Sequence, residues 1–300
     1  MKHLIIVLGP TGVGKTATSI GLAKAFGADI VSCDSRQFFR EMRIGTAVPS
    51  VEELESVRHH LIHSHSIHQS YNVYEFEQDA IRIIEQLHCD NDVVIMTGGS
   101  MLYVDAICKG IDSMPDADLA IRADLKDLLA AQGLEPLLKQ LESLDLEYYN
   151  QVDRNNPKRV LHGLEMCLTL GEPFSSRRTR VQKERSFQIT KVGLNRDRGD
   201  LYDRINRRVE MMMSEGLEQE ARGLFPLADL NALNTVGYKE LFSYFRGDHD
   251  LQKAVELIQR NTRHYAKKQL TWFRGDEQTS WFHPDEFIQV LSFVESQIKY

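Results

Sequence analysis

The sequence predicts an α/β fold in which a parallel sheet carries helices on both faces and an all-helical segment interrupts the core. Three observations predict it. An apolar strand enters a glycine-rich turn and a helix within residues 2–26, strands alternate with helices up to residue 111, and only helical patterns fill residues 112–185. Strands that alternate with helices form parallel sheets, because each crossover places a helix on one face.

The first strand runs into the spacing G-x-x-x-x-G-K-T. The eight residues of this loop are Gly9, Pro10, Thr11, Gly12, Val13, Gly14, Lys15 and Thr16. Its glycines let backbone N–H groups approach an anion closely, and the N-terminus of the following helix adds its dipole. Lys15 adds a cation, and the Thr16 hydroxyl is placed to hold a magnesium ion. The motif therefore predicts a P-loop NTPase-like core that binds a di- or triphosphate.

Two further polar clusters follow predicted strands. Asp34–Gln37 comes after a strand at residues 29–33, and Gly98–Ser100 comes after a strand at residues 92–97. Ligands of parallel sheets bind at the carboxyl ends of the strands, so we expect one site from the three clusters. An ordinary P-loop ATPase has its carboxylate on the later strand, whereas Asp34 follows the second strand. This favours a transferase in which Asp34 is a general base, although Asp34 could instead cap the next turn.

The pattern changes at about residue 112, where strands stop. Helices are predicted at residues 118–132, 134–143, 156–171, 201–224 and 251–274, a strand at 187–194, and a closing segment at 281–300. We therefore predict a catalytic core of residues 1–111 and 186–300 and a helical insertion domain of residues 112–185. A core of this kind suits a chain of 300 residues with 42% hydrophobic content.

The charge is unevenly distributed along the chain, whose net charge is −7. Residues 1–150 hold 12 Lys and Arg against 22 Asp and Glu, whereas residues 151–300 hold 24 against 21. Eight basic residues and three acidic ones lie between Arg154 and Arg185. This local excess suits a polyanion, and the alternative is a solvated face with salt bridges.

Membrane spans, secretion and metal centres have little support in the sequence. No apolar stretch is long enough for a membrane span, and Met1 leads directly into a strand rather than a signal peptide. The cysteines, which contain no C-x-x-C pair, are Cys33, Cys89, Cys108 and Cys167. This spacing favours reduced thiols in a cytoplasmic protein. Five histidines between His59 and His68 match no zinc pattern, so we expect packed and exposed imidazoles there.

One helical segment carries Arg204, Arg207 and Arg208. Arg204 and Arg208 are four residues apart and therefore share a face of the helix. Two guanidinium groups on one face suit a pyrophosphate leaving group, whose negative charge rises as it departs. The alternative is ordinary ion pairing with the neighbouring acidic residues Asp200, Asp203 and Glu210.

An ordered set of motifs extends from Leu4 to about Arg274. The segments are Gly9–Thr16, Asp34–Gln37, Ile44–Ala47, His59–Leu61, Gly98–Tyr103, Asn156–Arg159, Leu201–Val209, Gly216–Leu217, Val236–Glu240 and Lys268–Arg274. Together they resemble the bacterial tRNA dimethylallyltransferases, also called tRNA isopentenyltransferases. A P-loop alone is shared by many enzymes, but this whole set in this order is specific to that family.

The resemblance implies transfer of a dimethylallyl group from dimethylallyl diphosphate to the exocyclic amine of the adenosine 3′-adjacent to a tRNA anticodon, with release of pyrophosphate. The expected cofactor is Mg²⁺. The sequence does not settle the oligomeric state, for which a monomer is favoured, and no membrane partner is expected. The loop from Gly9 to Thr16 would hold the diphosphate, and Asp34 would take the proton of the adenine amine. Ser100, Arg204 and Arg208 would be further catalytic residues. The implied tRNA contacts are Asp34, Ser35, Arg36, Gln37, Ser100, Arg122, Lys158, Arg159 and His162.

Five positions depart from the usual family pattern. Serine replaces threonine at Ser100, phenylalanine replaces tyrosine at Phe39, valine replaces lysine at Val48, and histidine replaces aspartate at His63 and arginine at His162. None of them alters Lys15, Thr16 or Asp34. We expect them to change tRNA affinity and preference rather than the reaction.

Three alternatives remain open from the residues. The first is a small-molecule kinase in which Asp34 activates a hydroxyl, but the insertion and the basic segment argue against it because a small acceptor needs neither. The second is a prenyltransferase for free adenine nucleotides, against which the insertion and the match at Arg122 argue. The third is a non-catalytic RNA-binding protein, against which intact Lys15, Thr16 and Asp34 argue.

Overall fold

The computed structural model describes residues 1–116, 118–179 and 181–298. Arg180 of the basic segment and the last two residues of the predicted closing segment lie outside this part. The chain divides into two compact units, one formed by residues 1–108 and 184–300 and the other by residues 109–183. The insertion was predicted at residues 112–185, and its role in tRNA binding stays a prediction.

The first unit is built on a parallel sheet. Its strands are β1 (His3–Leu8), β2 (Ile30–Ser32), β3 (His59–His60), β4 (Val93–Gly98), β5 (Gln188–Leu194) and β6 (Thr279–Phe282). Their order is β3-β2-β4-β1-β5-β6, and every pair is parallel. Leu8 lies beside Gly98 and Gly193, and Ser32 lies beside Thr97. The carboxyl ends of the central strands therefore meet at one edge, as predicted.

Helices cover both faces of this sheet. The helices of the chain are α1 (Lys15–Phe26), α2 (Val51–Ser56), α3 (Val73–Asp90), α4 (Met101–Lys109), α5 (Leu119–Gln132), α6 (Glu135–Leu144), α7 (Leu146–Gln151), α8 (Pro157–Leu170), α9 (Phe174–Arg177), α10 (Arg198–Ser214), α11 (Leu217–Leu224), α12 (Tyr238–Arg246), α13 (Leu251–Arg274) and α14 (Phe287–Ile298). Alternate side chains of β1 point to opposite faces. Leu4 and Ile6 pack with α3 and α4, whereas Ile5 and Val7 pack with α1, α10 and α14. The predicted α/β fold class is confirmed.

One predicted element was wrong in detail. The single helix predicted at residues 201–224 is two helices, α10 and α11, separated at Gly216. Gly216 has φ of +105°, a backbone conformation that ends a right-handed helix and that glycine adopts at low cost. The predicted closing segment, to which no element type was assigned, contains the end of β6 and the helix α14. In the described residues, none of the helices combines the length and the apolar character that a membrane crossing requires.

The second unit is all-helical in its described residues and contains α5 to α9. The predicted ends of α8 are confirmed: Asn156 accepts a hydrogen bond from the Arg159 N–H, Pro157 opens the helix, and Gly171 follows it with φ of +69°. Leu137 and Leu164 are fully buried in the core of this unit. An apolar stripe on each helix thus gives the insertion a core of its own.

Candidate active site

The glycine-rich loop joins β1 to α1 at the carboxyl edge of the sheet. Gly9 has φ of +148°, and a Cβ there would lie 2.5 Å from the Leu194 carbonyl oxygen, so only glycine fits. Gly14 stands at the start of α1 with φ of +116° and offers no side-chain cap. The first N–H groups of α1 therefore keep their capacity to bind an anion.

A cavity of 460 Å³, called the loop cavity here, lies against this loop. It brings together side chains from all three predicted clusters and from α10. They include Thr11, Lys15 and Thr16 of the loop, Asp34 and Gln37 after β2, Thr97 and Gly98 of β4, and Arg204, Arg207 and Arg208 of α10. The convergence that the strand-end rule predicts is therefore present in the structure.

A second cavity of 340 Å³, called the Tyr265 cavity, adjoins the first. Its walls include Ser35, Arg36 and Tyr265. Five residues line both cavities: Thr11, Asp34, Thr46, Ala47 and Arg208. Asp34 and Arg208 thus stand at the boundary between two compartments, which suits a reaction between two substrates.

Asp34 caps the turn that follows it through one carboxylate oxygen, and its other oxygen makes no hydrogen bond in the described structure. Its Oδ1 accepts hydrogen bonds from the N–H groups of Arg36 (2.9 Å) and Gln37 (3.4 Å). Within the described part of the chain, no hydrogen bond reaches Oδ2. The turn therefore orients the carboxylate, and one oxygen remains able to accept a proton.

Lys15 is folded back onto its own loop. Its ammonium donates to the carbonyl oxygens of Gly9 (3.0 Å) and Pro10 (2.9 Å). Burial lowers the pKa of Lys15 to about 8, the charge of Arg208 contributes to this, and Asp34 opposes it. An arriving anion would favour the charged form of this lysine.

Arg204 and Arg208 reach the loop instead of pairing with nearby acids. The Arg208 Nη2 donates to Thr11 Oγ1 (2.5 Å), and the Arg204 Nε donates to the Gly12 carbonyl oxygen (3.0 Å). Burial lowers the pKa of Arg208, and its Nε is buried without a hydrogen-bond partner. In the described structure, Asp200 pairs with Arg196 (3.1 Å) and with neither of these arginines. An anion in the cavity would supply the partner that Arg208 lacks.

Ser100 holds the turn that carries Asp34. Its Oγ accepts a hydrogen bond from the Ser35 N–H at 2.8 Å, and it is only 5% exposed. Tyr265 lines the Tyr265 cavity together with Ser35. Burial, assisted by the charge of Asp34, raises the pKa of Tyr265 to about 12. The geometry gives Ser100 a positioning role for the turn that carries Asp34.

Gln269 of α13 is a site residue for which the sequence predicted no role. Its Oε1 accepts from the Thr11 N–H, and its Nε2 donates to the Gly99 carbonyl oxygen, both at 2.8 Å. The side chain is 2% exposed. It therefore joins the glycine-rich loop to the Gly98–Ser100 cluster. The only sequence signal is its place within the family segment Lys268–Arg274.

Glu220 of α11 is a second such residue. Its carboxylate accepts from three consecutive N–H groups, those of Arg43 (3.1 Å), Ile44 (2.8 Å) and Gly45 (3.0 Å). The Tyr238 hydroxyl donates a fourth hydrogen bond at 2.6 Å. This carboxylate therefore shapes the segment that ends in Thr46 and Ala47, which line both cavities. No local pattern marks Glu220 for this task.

Gln37 holds the same segment from the other side. Its Nε2 donates to the carbonyl oxygens of Thr46 (3.2 Å) and Ala47 (2.9 Å). Ala47 has φ of +51°, an uncommon conformation for a residue with a Cβ. The surrounding hydrogen bonds therefore hold the backbone of Ala47 in this unfavourable conformation. Gln37 thus connects the Asp34 turn to the wall shared by the cavities.

In the second unit, Arg122 forms an ion pair with Glu165. Its guanidinium makes two hydrogen bonds to the Glu165 carboxylate, at 2.5 and 2.9 Å, and Glu165 is 4% exposed. His162 lies 3.7 Å from the same carboxylate. Lys158, Arg159 and His162 are exposed on α8. The phosphate contacts expected of Arg122 therefore require it to share or leave Glu165.

The histidine-rich segment is a mixture of contacts. His59 bonds to the Val57 carbonyl oxygen and His60 to Asp29, both at 2.8 Å, while the ring of His65 lies 3.8 Å from that of Tyr71. Among the described residues, no group of three or more His, Cys, Asp or Glu side chains has an arrangement that suits a metal ion. In the described structure, none of the four cysteines forms a disulfide.

Comparisons with known proteins agree with the fold and with the motif set. The family model described as IPP transferase matches residues 37–276. The chain is 50% identical over 298 residues to tRNA dimethylallyltransferase 2 of Parabacteroides distasonis, which covers 99% of this chain and 100% of that protein. The chain belongs to the tRNA dimethylallyltransferase (IPP transferase) family. The resemblance inferred from the motifs is confirmed.

Two further members of the family are similar over nearly their full length. One is tRNA dimethylallyltransferase 1 of Bacteroides fragilis, 48% identical over 298 residues, with 99% of each chain covered. The other is a crystal structure of a tRNA isopentenylpyrophosphate transferase from Bacillus halodurans. It superposes with a TM-score of 0.73 at 32% identity and covers 100% of this chain and 97% of that chain. The relatives thus share the whole architecture, including the insertion.

Proposed function

We propose that this enzyme transfers a dimethylallyl group from dimethylallyl diphosphate to the exocyclic amine of the adenosine 3′-adjacent to a tRNA anticodon. Membership of the tRNA dimethylallyltransferase family supports tRNA as the acceptor. One observation supports the placement of the diphosphate in one cavity and the adenosine in the other: Asp34 and Arg208 line both cavities. A base and a cation at a common boundary can act on both substrates at once.

The loop cavity suits the diphosphate. The N-terminus of α1 offers N–H groups, Lys15 of the same loop offers a cation, and Arg204 and Arg208 of α10 offer two more. Negative charge grows on the pyrophosphate as its bond to the allylic carbon breaks. Cations already in place stabilise that charge more than they stabilise the bound substrate, which is how they accelerate the reaction.

The Tyr265 cavity suits the adenosine. An unpaired loop nucleotide is extracted at lower cost than a paired one and needs a pocket that receives its base. Asp34 lines both cavities, and its Oδ2, which has no hydrogen bond in the described structure, accepts the amine proton as the new C–N bond forms. Because an aromatic amine is a weak nucleophile, positioning of both substrates supplies much of the rate.

The residues of the loop cavity fit a magnesium ion. Thr16 offers a hydroxyl, Asp34 a carboxylate, and the buried Thr97 Oγ1 lacks a hydrogen-bond partner in the described structure. Mg²⁺ favours such oxygen ligands and is commonly held by substrate phosphates with few protein groups. When bound, the ion would neutralise charge on the diphosphate. Thr16 is the residue that would hold it.

The insertion offers a basic surface on α8 to which the tRNA can bind. Lys158 and Arg159 lie exposed on one helix, so their charges are available to phosphates of the anticodon stem, and the exposed His162 of the same helix offers an imidazole N–H. The absence of disulfides among the described cysteines accords with a cytoplasmic location, where such tRNAs occur. Action as a monomer completes the proposal.

The test is a transfer assay with radiolabelled dimethylallyl diphosphate, Mg²⁺ and unmodified tRNA, with AMP and ATP as parallel acceptors. Label at the adenosine beside the anticodon is the expected result. Label only in a free nucleotide would instead identify a synthase of prenylated nucleotides. Absence of label from every acceptor, with a folded protein, would reject prenyl transfer.

The affinity for the diphosphate should fall as the pH rises through about 8, because the charged form of Lys15 binds the anion. The bound anion raises the pKa of Lys15, so binding above this pH takes up a proton and weakens by up to about tenfold per pH unit. Calorimetry with pyrophosphate in buffers of different ionisation enthalpy measures both effects. Lys15→Arg, which stays charged, is the control and should remove the dependence; equal slopes in both proteins would contradict the assignment.

Glu220→Gln should lower kcat/KM for dimethylallyl diphosphate by up to roughly 100-fold, since small displacements of a site wall have effects of that size. The amide replaces one acceptor oxygen by a donor that faces backbone N–H groups, so the segment of Thr46 and Ala47 loses its support. Steady-state kinetics with a thermal unfolding curve separate the two effects. Glu215→Gln, an exposed position on the same stretch of chain, is the matched control. Lower thermal stability with unchanged kinetics would give Glu220 a structural role alone.

A further inference from the structure

One part of the loop cavity is apolar, although most of the side chains around this cavity are polar or charged. Four apolar side chains from outside the glycine-rich loop and α1 line it and are called the apolar wall here: Ala47, Pro49, Ile62 and Met211. Ala47 also lines the Tyr265 cavity, whereas the other three line only the loop cavity of these two. The apolar wall therefore begins at the boundary between the cavities and belongs to the compartment that contains the phosphate-binding groups.

Folding does not account for two members of the apolar wall. Ile62 is half-buried and Met211 is 55% exposed. In the described structure, neither belongs to one of the four apolar cores. Met211 lies on α10 three residues after Arg208, so the two side chains are neighbours on the helix surface and line the same cavity. The apolar surfaces of Ile62 and Met211 are therefore available to a ligand in the loop cavity.

The backbone that carries Ile62 is strained on both sides. Leu61 has φ of +59° and His63 has φ of +49°, and Ala47 is the third non-glycine residue with positive φ in the described chain. This conformation is costly for a residue with a Cβ and persists where the surrounding structure determines it. Leu61 is buried in the core of the sheet, and the His63 N–H donates to the Gln37 carbonyl oxygen at 2.9 Å. Because the Gln37 side chain also holds the Ala47 carbonyl oxygen, both strained parts of the wall are fixed to one residue.

The chemistry of the proposed transfer determines where the allyl group lies. The bond from its C1 carbon to the diphosphate oxygen breaks, the bond from C1 to the adenosine amine forms, and the amine proton passes to Asp34. C1 must therefore lie between the diphosphate at the glycine-rich loop and Asp34 at the boundary of the cavities. The remaining carbons are stabilised where apolar side chains remove them from water. The apolar wall, which starts at this boundary with Ala47, offers that surface.

We infer that the apolar wall binds the dimethylallyl group and that Ile62 limits the donor to five carbons. The inference rests on the prenyl transfer proposed above. The strained and hydrogen-bonded backbone prevents Ile62 from moving aside for a longer chain, whereas the flexible side chain of Met211 adapts to the bound group. Ile62 is therefore a specificity-determining residue, because the phosphate-binding groups contact a part that donors of every length share.

Calorimetry with three diphosphate esters and Mg²⁺ tests the apolar wall without tRNA. Methyl, dimethylallyl and geranyl diphosphate carry the same charge and differ in an apolar group of one, five or ten carbons. The wild type should bind dimethylallyl diphosphate at least about tenfold more tightly than methyl diphosphate, because each buried carbon strengthens binding. It should bind geranyl diphosphate more weakly than dimethylallyl diphosphate, because Ile62 occupies the space that the longer chain needs.

Transfer of label to tRNA tests the length limit. Ile62→Ala should raise the ratio of kcat/KM for geranyl diphosphate to that for dimethylallyl diphosphate by about 10- to 200-fold, the range found for a change of one methylene group in an apolar pocket. Ile62→Phe should lower kcat/KM for dimethylallyl diphosphate and leave the affinity for methyl diphosphate unchanged. Ile288→Ala is the matched control, since it makes the same substitution at a 73% exposed position of α14 that lines neither cavity.

Equal affinities of the wild type for methyl and dimethylallyl diphosphate, or an unchanged kcat/KM ratio in Ile62→Ala, would overturn the inference. If Ile62→Ala fails to fold, Ile62→Val removes a single methyl group and should shift the ratio in the same direction; an unchanged ratio there would also overturn it. Label transfer to tRNA by the wild type is measured separately. Transfer with equal affinities would reject the apolar wall and keep the proposed function, whereas unequal affinities without transfer would keep the wall as a prenyl diphosphate site and reject the proposed function.

Discussion

Asp34→Asn should lower kcat for prenyl transfer to tRNA by about 100- to 10,000-fold, with little change in diphosphate affinity. Asparagine keeps an oxygen for the N–H groups of Arg36 and Gln37, so the turn persists. It replaces the other carboxylate oxygen, the one without a hydrogen bond, by an amide that cannot accept a proton. Single-turnover transfer rates and calorimetry with pyrophosphate measure the two quantities.

Asp34→Ala provides the comparison that separates catalysis from capping. The alanine variant loses both oxygens and should therefore add a loss of thermal stability to the loss of rate. The asparagine variant should unfold close to the wild-type temperature. Near-normal turnover with asparagine would exclude Asp34 as the base and leave it only the capping role.

Arg208→Ala should lower kcat/KM for dimethylallyl diphosphate by about 100- to 1,000-fold, the range found when one stabilising donor is removed. The guanidinium is buried, bonds to Thr11, and keeps an Nε without a partner for the incoming anion. Steady-state kinetics with saturating tRNA measure the loss. Arg198→Ala is the matched control, because Arg198 lies on the same helix over the ring of Tyr202 and lines neither cavity.

We also expect Arg208→Ala to change the pH dependence of diphosphate binding. The charge of Arg208 lowers the pKa of Lys15, so its removal should move the alkaline limb of diphosphate binding to higher pH. An unchanged limb would show that the two cations do not interact. Unchanged kcat/KM in Arg208→Ala would remove Arg208 from leaving-group stabilisation altogether.

Much of the fold could be predicted from the local pattern of apolar residues and glycines. The strand, glycine-rich loop and helix at residues 3–26 follow from apolar runs and glycine spacing, and α13 ends where predicted, at Arg274. The error at residues 201–224 arose because the apolar stripe continues across the break at Gly216. The spacing of apolar residues shows which face of a helix is buried. It does not show that the chain changes direction between α10 and α11, because that change depends on the positive φ of Gly216.

The core of the site was also predictable, for a topological reason. In a parallel sheet the carboxyl ends of neighbouring strands lie at one edge, so the loop after β1, Asp34 after β2 and Gly98 at the end of β4 had to converge. The roles within the site were less accessible. Ser100 was predicted as catalytic, and its roles in catalysis and tRNA binding stay predictions, while its oxygen accepts from the Ser35 N–H.

The sequence by itself determined the fold class, the glycine-rich loop, the position of Asp34 and the family, since each depends on residues adjacent in the chain or on motif order. Only the tertiary structure decided that Gln269 holds the N–H of Thr11, 258 positions away, and that Glu220 holds the segment at residues 43–45. It also decided that the two cavities share Asp34 and Arg208. Such contacts depend on how α11 and α13 rotate and pack against the sheet, and helix packing is set by the whole core rather than by any local run of residues.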